Sequence, residues 1–287
     1  MPLLYRRNCF QCQVWLRFGS WLPLQEGLEG GNTTGMSKQS HPQSGVYPVP
    51  VLLTRPMPQA TRFGSAVSAR FGTHVRSIIT PIMRPVFLSA ILPNKPYSAV
   101  LFTSEVAVEA ARLLSKAGHV FPSDAICVGA QTARAAMAEG YKAQSANGDA
   151  DALLAYIIAA GITGPLLHLH GRDTRGDLGE RLNLAGIETV SVSVYQQIPQ
   201  PLSAEALETL REEGPVILPL FSPRSATLLA RALPANRKAR VLIAAMSTAV
   251  GDAAAPIRPQ EMRCAEHPDA EAMLDTIQRL LFTARGS

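Results

Sequence analysis

The chain has 287 residues, of which 47% are apolar and 17% charged, with a formal net charge of +5. That length suits one large domain or two ordinary ones, and the apolar share is enough for a real core, which excludes disordered and fibrous classes. No uninterrupted apolar run reaches the ~18 residues of a membrane span, and no Lys/Arg-rich run marks a nucleic-acid surface. Cys9, Cys12, Cys127 and Cys264 are too scattered for a disulfide scaffold. The expected compartment is therefore reducing. The mild positive excess suits a small polyanionic ligand.

Residues 1–47 differ in kind from the rest. They hold Trp15, Trp21 and a lone C-x-x-C at Cys9 and Cys12, which lacks the second half a zinc site needs. Arg7, Asn8, Gln11 and Gln13 interrupt any signal-peptide core, while the acid-poor stretch up to Glu26 leaves a transit peptide open. A Gly/Ser-rich, linker-like run starts at Gly30. The preferred reading is a disordered or mis-annotated extension, with translation starting at Met36.

From Val49 the pattern becomes regular. VPVLLT is a strand. Pro56 fits a first helical turn, and the helix runs to about Arg70. HVRSIIT is the next strand, and the proline-bearing PIMRPVFLSAIL an extended connector. YSAVLFT is a strand, the following segment a helix ending at Gly118, AICVG a strand, and AQTARAAMAEG a helix closed by Gly140. DADALLAYIIAAG is a helix, GPLLHLHG a strand, TRGDLGERLNLAG a helix, and ETVSVSVYQQIP a long strand. Then come helix SAEALETLREEG, strand PVILPLF, helix SPRSATLLARAL, strand ARVLIAA, short helix STAVGDAAA and a terminal amphipathic helix. Such alternation predicts parallel sheets covered on both faces, with ligands at the strands' carboxyl ends.

Two echoes run through this order. LFTSEVAVEAARLL from Leu101 matches LFSPRSATLLARAL from Leu220 without a gap. In both, Phe102 or Phe221 ends a strand, and Thr103/Ser104 or Ser222 supplies a hydroxyl at a helix start, with Pro223 at the first helical position. Later, Thr132-Ala133 in VGAQTARAA matches Thr248-Ala249 in AAMSTAVGDAA. Each such turn is an ordinary cap taken singly. Together, free amides and hydroxyls at four helix starts suggest a cleft for a ligand rich in carboxylates.

Other candidates are less specific. His168 and His170 share a strand face, but nothing nearby completes a metal set. Gly171, Arg172 and Arg175 lie at the following turn, and Arg55 ends the first strand. An arginine at either place is a solvated charge or a carboxylate clamp. In VSVSVY, alternation puts Val190, Val192 and Val194 on one face and Ser191, Ser193 and Tyr195 on the other. That places Tyr195 on the polar face. There is no phosphate loop, dinucleotide fingerprint or nucleophile elbow.

Together these residues resemble the uroporphyrinogen-III synthase family over about residues 50–283. LLTRP at Leu52, VLFTSEVAVEAA at Val100, VGAQTA at Val128, VSVYQ at Val192, and FSPRSA at Phe221 followed by STA at Ser247 carry the resemblance. It implies two doubly wound parallel-sheet domains of flavodoxin-like type joined by a two-stranded connector. Mapped here, these are residues 48–83 with 199–287, and residues 84–198. It also implies closure of hydroxymethylbilane to uroporphyrinogen III, with loss of water and inversion of ring D, in tetrapyrrole (haem) biosynthesis. The enzyme expected is a cytoplasmic monomer without cofactor or metal, with no nucleic-acid or membrane partner, acting on a polycarboxylate substrate. Tyr195 matches the tyrosine expected to assist departure of the hydroxyl. The candidate substrate-binding set is Arg55, Thr103, Ser104, Gln131, Thr132, Gly171, Arg172, Ser222, Pro223, Ser225, Ser247 and Thr248, with contact by Arg55 and Arg172 left open. Ala245 departs from the family's usual glycine, and its methyl is expected to limit how closely backbone meets ligand. The competing reading is a non-catalytic two-domain protein that binds tetrapyrroles or small anions, or senses them.

Overall fold

Short apolar runs alternate with amphipathic ones, and each run becomes one strand or one helix. In the computed structural model the described residues are 47–173 and 177–286. The first elements are β1 (Val49–Leu53), α1 (Gln59–Phe71), β2 (Val75–Ile79), β3 (Met83–Phe87), β4 (Ala99–Phe102), α2 (Glu105–Lys116), β5 (Asp124–Cys127), α3 (Ala130–Ala138), β6 (Lys142–Ser145) and α4 (Ala150–Ala159). There follow β7 (Leu166–Gly171), α5 (Leu178–Leu184), β8 (Thr189–Pro199), α6 (Ala204–Arg211), β9 (Pro215–Leu220), α7 (Pro223–Ala232), β10 (Arg240–Ala245), α8 (Thr248–Ala254), β11 (Glu261–Cys264) and α9 (Ala270–Arg285). The N-terminal extension, with Cys9, Cys12 and Met36, lies outside the described residues, as does Arg175.

Two sheets result. The first runs β11-β10-β9-β1-β2, all parallel. Ranked by chain position this is 2-1-3-4-5, the flavodoxin-like order. The second runs β3-β8-β7-β4-β5-β6, with β3 antiparallel to β8 and the rest parallel. Its parallel strands rank 3-2-1-4-5, the other common doubly wound order. The expected doubly wound class holds in both sheets; the flavodoxin-like order holds in the first. The difference turns on β6, an edge strand of sequence KAQS with no fully buried residue. It carries no apolar signal, so the sequence reading passes over it. The exposed edge strand β11 escapes for the same reason.

Strands buried on both faces feed two cores each. In the first lobe Leu52, Leu218 and Ile243 face α6, α7 and α8, while Val51, Leu53, Ile217 and Leu242 face α1 and α9. In the second, Val100, Phe102, Leu167 and Leu169 face α2 and α3, while Leu101, Ile126 and Leu166 face α4 and α5. The lobes are joined where β3 and β8 pair from Met83↔Pro199 to Phe87↔Tyr195. Gln200 continues the seam, its backbone donating to the Ile82 carbonyl at 2.9 Å and its side chain to Pro81 at 2.7 Å.

Two local expectations shift. The first helix starts at Gln59 with Pro58 as its cap, not at Pro56. The residue before a proline is driven out of helical conformation, so Met57 cannot be helical while Pro58 follows it. Phe221 lies one residue past β9 and is only half-buried, unlike the fully buried Phe102.

Leu218 lies fully buried in the central strand of the first core. Leu218→Ala is expected to cost ~2–5 kcal/mol, measured as a lowered urea midpoint at unchanged slope.

Candidate functional site

In the second sheet the chain leaves β4 toward β5 and β6, and returns on the other side through β7 and β8. The helix after β4 packs on one face and the helix after β7 on the other. Their starts therefore diverge, leaving a crevice at the carboxyl ends of β4 and β7, where the strand order reverses. A cavity of about 330 Å³ opens there. Its walls include Thr103 and Ser104 after β4, Val128 after β5, His168 and Gly171 on β7, Asp173, Tyr195 and Gln197 on β8, and Arg224 on α7. Arg224 is the first lobe's contribution among these residues.

Tyr195 does not lie on the polar face of its strand. Between His170↔Ser193 and Gly171↔Tyr195 the β7–β8 register shifts, so Val194 is the extra residue of a bulge. The alternation is thereby reset. Val194 and Tyr195 are both buried, and Tyr195 joins Val190 and Val192 in the core under α2. The ring lies directly over Gly171. A Cβ on that glycine would fall 2.6 Å from the tyrosine's Cζ and 2.9 Å from its hydroxyl oxygen. The phenol reaches the Ser104 hydroxyl at 3.0 Å. Ser104 in turn caps α2, accepting from the Ala107 amide at 3.2 Å. Burial pushes the Tyr195 pKa up and Asp173 adds to this, while the Ser104 bond opposes it. The net direction is upward, so the phenol holds its proton at neutral pH.

The opposite side of β7 carries two stacked imidazoles, His168 and His170, with ring centroids 4.8 Å apart. His170 Nδ1 donates to the Gly171 carbonyl at 2.9 Å. His168 is 4% exposed, with Nδ1 3.3 Å from the Ser191 hydroxyl. Burial, then repulsion from His170, pushes its pKa down to about 3. Among the described residues no group of three or more His, Cys, Asp or Glu is placed to hold a metal ion.

Charges bridge the two lobes beside the crevice. Arg224 Nη1 meets Asp173 at 2.9 Å, and its Nη2 donates to the Gln197 carbonyl at 3.0 Å. Arg62 on α1 forks onto Glu105, the first residue of α2, at 2.6 and 2.9 Å. Asp149 spends its carboxylate on the amides of Asp151 and Ala152 at the start of α4, which lowers its pKa.

Of the residues read from sequence, the structure brings Thr103, Ser104, Gly171 and Tyr195 to the cavity wall. Ser222 caps α7, and its hydroxyl and that of Ser225 are 2.8 Å apart, closing the cap on itself. Pro223 fills the first helical position and sets up Arg224 beside it. Arg172 turns away, donating to the Gln196 side chain at 2.9 Å. Arg55 stacks 4.1 Å over the Phe221 ring, where burial, then Arg62, lowers its pKa.

The second echo does not survive as a structural equivalence. Gly129 caps α3, so Gln131 and Thr132 lie inside that helix, Gln131 exposed and Thr132 buried in the core. Ser247 occupies the N-cap position of α8 without a side-chain capping bond, and Thr248, its first residue, is exposed. Neither pair lines the cavity. Ala245 is fully buried in the first lobe's core, so its methyl faces packed side chains and the expected constraint on a ligand there falls away. Sequence reasoning missed Arg224, Asp173, His168 and Gln197 as members of one site. Arg224 carried one local signal, its place directly after the proline that opens α7.

Two doubly wound lobes on an antiparallel strand pair, with a polar crevice at the switch point of one, define a class: two-lobed α/β proteins that take ligands at strand ends. The sequence model for uroporphyrinogen-III synthase HemD matches residues 71–275, and the chain belongs to that family of cyclising hydro-lyases in haem biosynthesis. Among solved structures, uroporphyrinogen-III synthetase from Helicobacter pylori superposes with a TM-score of 0.55 at 16% identity, covering 81% of this chain and 99% of that one. Uroporphyrinogen III synthase from the extremely thermophilic bacterium Thermus thermophilus gives 0.36 at 18% identity, covering 82% and 98%. A search of curated proteins finds no match.

The neutral His168 makes stability depend on pH. In the unfolded chain a histidine binds a proton near 6.5, whereas the folded site binds it only near 3. As pH falls from 6.5 toward 3 the unfolded state gains a proton that the folded state refuses. Stability should therefore drop by up to ~1.4 kcal/mol per pH unit through that window. Urea midpoints of the wild type and His168→Leu, compared at about pH 7.5 and about pH 5.5, should show the wild type losing more stability on acidification.

Proposed function

We propose that the chain converts hydroxymethylbilane to uroporphyrinogen III, with Tyr195 as the acid that assists departure of the hydroxyl group. The observation that carries this is a buried, protonated phenol at the end of the crevice, oriented by the cap hydroxyl of α2. Ser104 already accepts from the Ala107 amide. Donating its own proton to the Tyr195 oxygen leaves the phenol proton free for the substrate. As the C–O bond breaks, electrons from the pyrrole ring fill the new methylene bond, and the hydroxyl takes the phenol's proton and leaves as water. Acid assistance of this kind is worth ~10²–10⁴-fold. Holding the chain so that ring D inverts before closure is a positioning task, shared between the crevice and the facing lobe.

The cavity is at the small end of ligand sites, ~300–1,000 Å³. It therefore takes the reacting end of the linear tetrapyrrole and leaves the rest in the gap toward the first lobe. Thr103, the amides at the start of α2 and Arg224 are the groups proposed to meet carboxylates. Ser222 and Pro223 act by holding Arg224. In this reading residues 48–83 with 199–287 form one domain and 84–198 the other. The enzyme works as a cytoplasmic monomer that needs no cofactor. Among the described helices none is long and apolar enough to cross a membrane.

Freshly prepared hydroxymethylbilane incubated with the protein should give the asymmetric isomer III. Accumulation of only the symmetric isomer, which forms without help, would overturn the proposal. Tyr195→Phe should lower kcat by ~10²-fold or more while leaving the melting temperature within a few degrees. Gly171→Ala should force the ring off Ser104 and lower kcat by about 10²-fold; wild-type turnover in that variant would remove the ring's placement from the mechanism.

A further inference from the structure

Among the described residues, the buried side-chain polar atoms without a hydrogen-bond partner are Gln59 Oε1, Ser77 Oγ, His168 Nε2 and Gln197 Oε1. Two of these, on His168 and Gln197, belong to residues that line the crevice cavity. Buried polar atoms are almost always paired, and one left unpaired lowers stability. The unmet bonds thus concentrate where a ligand would sit.

Both atoms can accept a hydrogen bond. The Gln197 atom is an amide oxygen. His168 is neutral, and its Nδ1 lies 3.3 Å from the Ser191 hydroxyl, which can accept or donate; with the proton on Nδ1, Nε2 carries a lone pair. The stacked His170 holds its proton on Nδ1, because that atom faces the Gly171 carbonyl, which can only accept. Carboxylates bring no proton, so the substrate's acid groups leave the Gln197 oxygen and an Nδ1-protonated His168 unsatisfied. Pyrrole N–H groups are donors without acceptor capacity, and a tetrapyrrole carries one on every ring.

We propose that His168, with its proton on Nδ1, and Gln197 bind pyrrole N–H groups of the substrate, giving the crevice a contact to the ring nitrogens distinct from its contacts to carboxylates. The assignment rests on the tetrapyrrole reading above. It divides the cavity by chemistry: Arg224 and the start of α2 face the acidic rim, and the two acceptors face the ring interior. Neither atom meets bulk water in this arrangement. Rotation of the half-buried Gln197 side chain is the smallest movement that turns its oxygen into the cavity.

The test uses the whole chain, hydroxymethylbilane and four proteins: wild type, His168→Leu, His168→Gln and Gln197→Leu. Losing one neutral hydrogen bond should raise KM about five- to tenfold in each Leu variant, with kcat changed less than twofold. His168→Gln, which restores an acceptor, should recover most of the loss. Unchanged KM in both Leu variants overturns the proposal, as does equal loss in His168→Leu and His168→Gln. A second arm titrates uroporphyrinogen III, kept reduced, into each protein by calorimetry. It carries an N–H on every ring, and its saturated bridges let the rings tilt those groups outward. Wild type should bind about five- to tenfold more tightly than either Leu variant, and His168→Gln should recover most of the affinity. Equal binding by wild type and both Leu variants, or no binding by wild type, also counts against the proposal. Failure of wild type to form uroporphyrinogen III sinks the functional reading by itself, and the titration then decides the N–H contact separately.

Discussion

The site depends on one missing carbon atom. With no Cβ on Gly171, the Tyr195 ring can lie close against the end of β7, and any larger residue would displace it. Only the bulge opposite Gly171 brings Tyr195 onto the same side as α2. There the phenol meets a hydroxyl fixed by a helix cap rather than by a free side chain. Burial and hydrogen bonding then act in opposite directions on the phenol, and burial is the larger. The result suits proton donation: the group is oriented as if it were ionisable, yet it keeps its proton. Strand register, a glycine and a serine cap are thus one device.

The two lobes use the same architecture to different ends. Each doubly wound sheet has a switch point, between β1 and β9 in the first and between β4 and β7 in the second. In the second the crevice is open. In the first, Arg55 from the end of β1 lies over Phe221 from the end of β9, and Phe63 packs edge-on against the same ring at 4.9 Å. A cation lying over an aromatic face and desolvated in this way is well placed to pack, and it occupies the position a ligand would take. The sequence echo at Phe102 and Phe221 therefore marks a shared local geometry, a strand end followed by a serine-capped helix, more than shared chemistry. Phe102 is core, packed against Tyr141, whereas Phe221 is the platform for an arginine.

This explains which parts were legible in the sequence. The central strands are apolar on both faces and the helices have clean apolar stripes, so their order and the connector strands could be read directly. The edge strands β6 and β11 are polar and leave no period to find. Ser104 and Ser222 were readable as caps because a cap is a local interaction. The place of Tyr195 was not, since strict alternation fails at a bulge and a bulge is fixed by the partner strand. Thr132 and Thr248 aligned as letters yet sit at different helical positions, because Gly129 starts its helix three residues before Thr132 whereas Ser247 directly precedes Thr248. Arg224, Asp173, His168 and Gln197 become one site only through the crossover and the approach of the lobes, neither of which has a signature in a single stretch.

The approach of the lobes is itself lightly held. The bridging pairs Arg62–Glu105 and Arg224–Asp173 are partly exposed, with the arginines 41% and 40% accessible. Pairs of that kind contribute only ~0–1 kcal/mol and weaken with salt. They orient the lobes without locking them, and among the described residues the backbone pairing between the lobes is the β3–β8 seam and its continuation at Gln200. Glu105 and Asp173 also present to Arg62 and Arg224 the same group that a polycarboxylate would present. A ligand's carboxylates can replace these partners one for one, so opening the gap need not leave the two arginines unpaired. The weakness of the bridges is thus consistent with a cleft that has to admit a long, flexible and highly charged molecule.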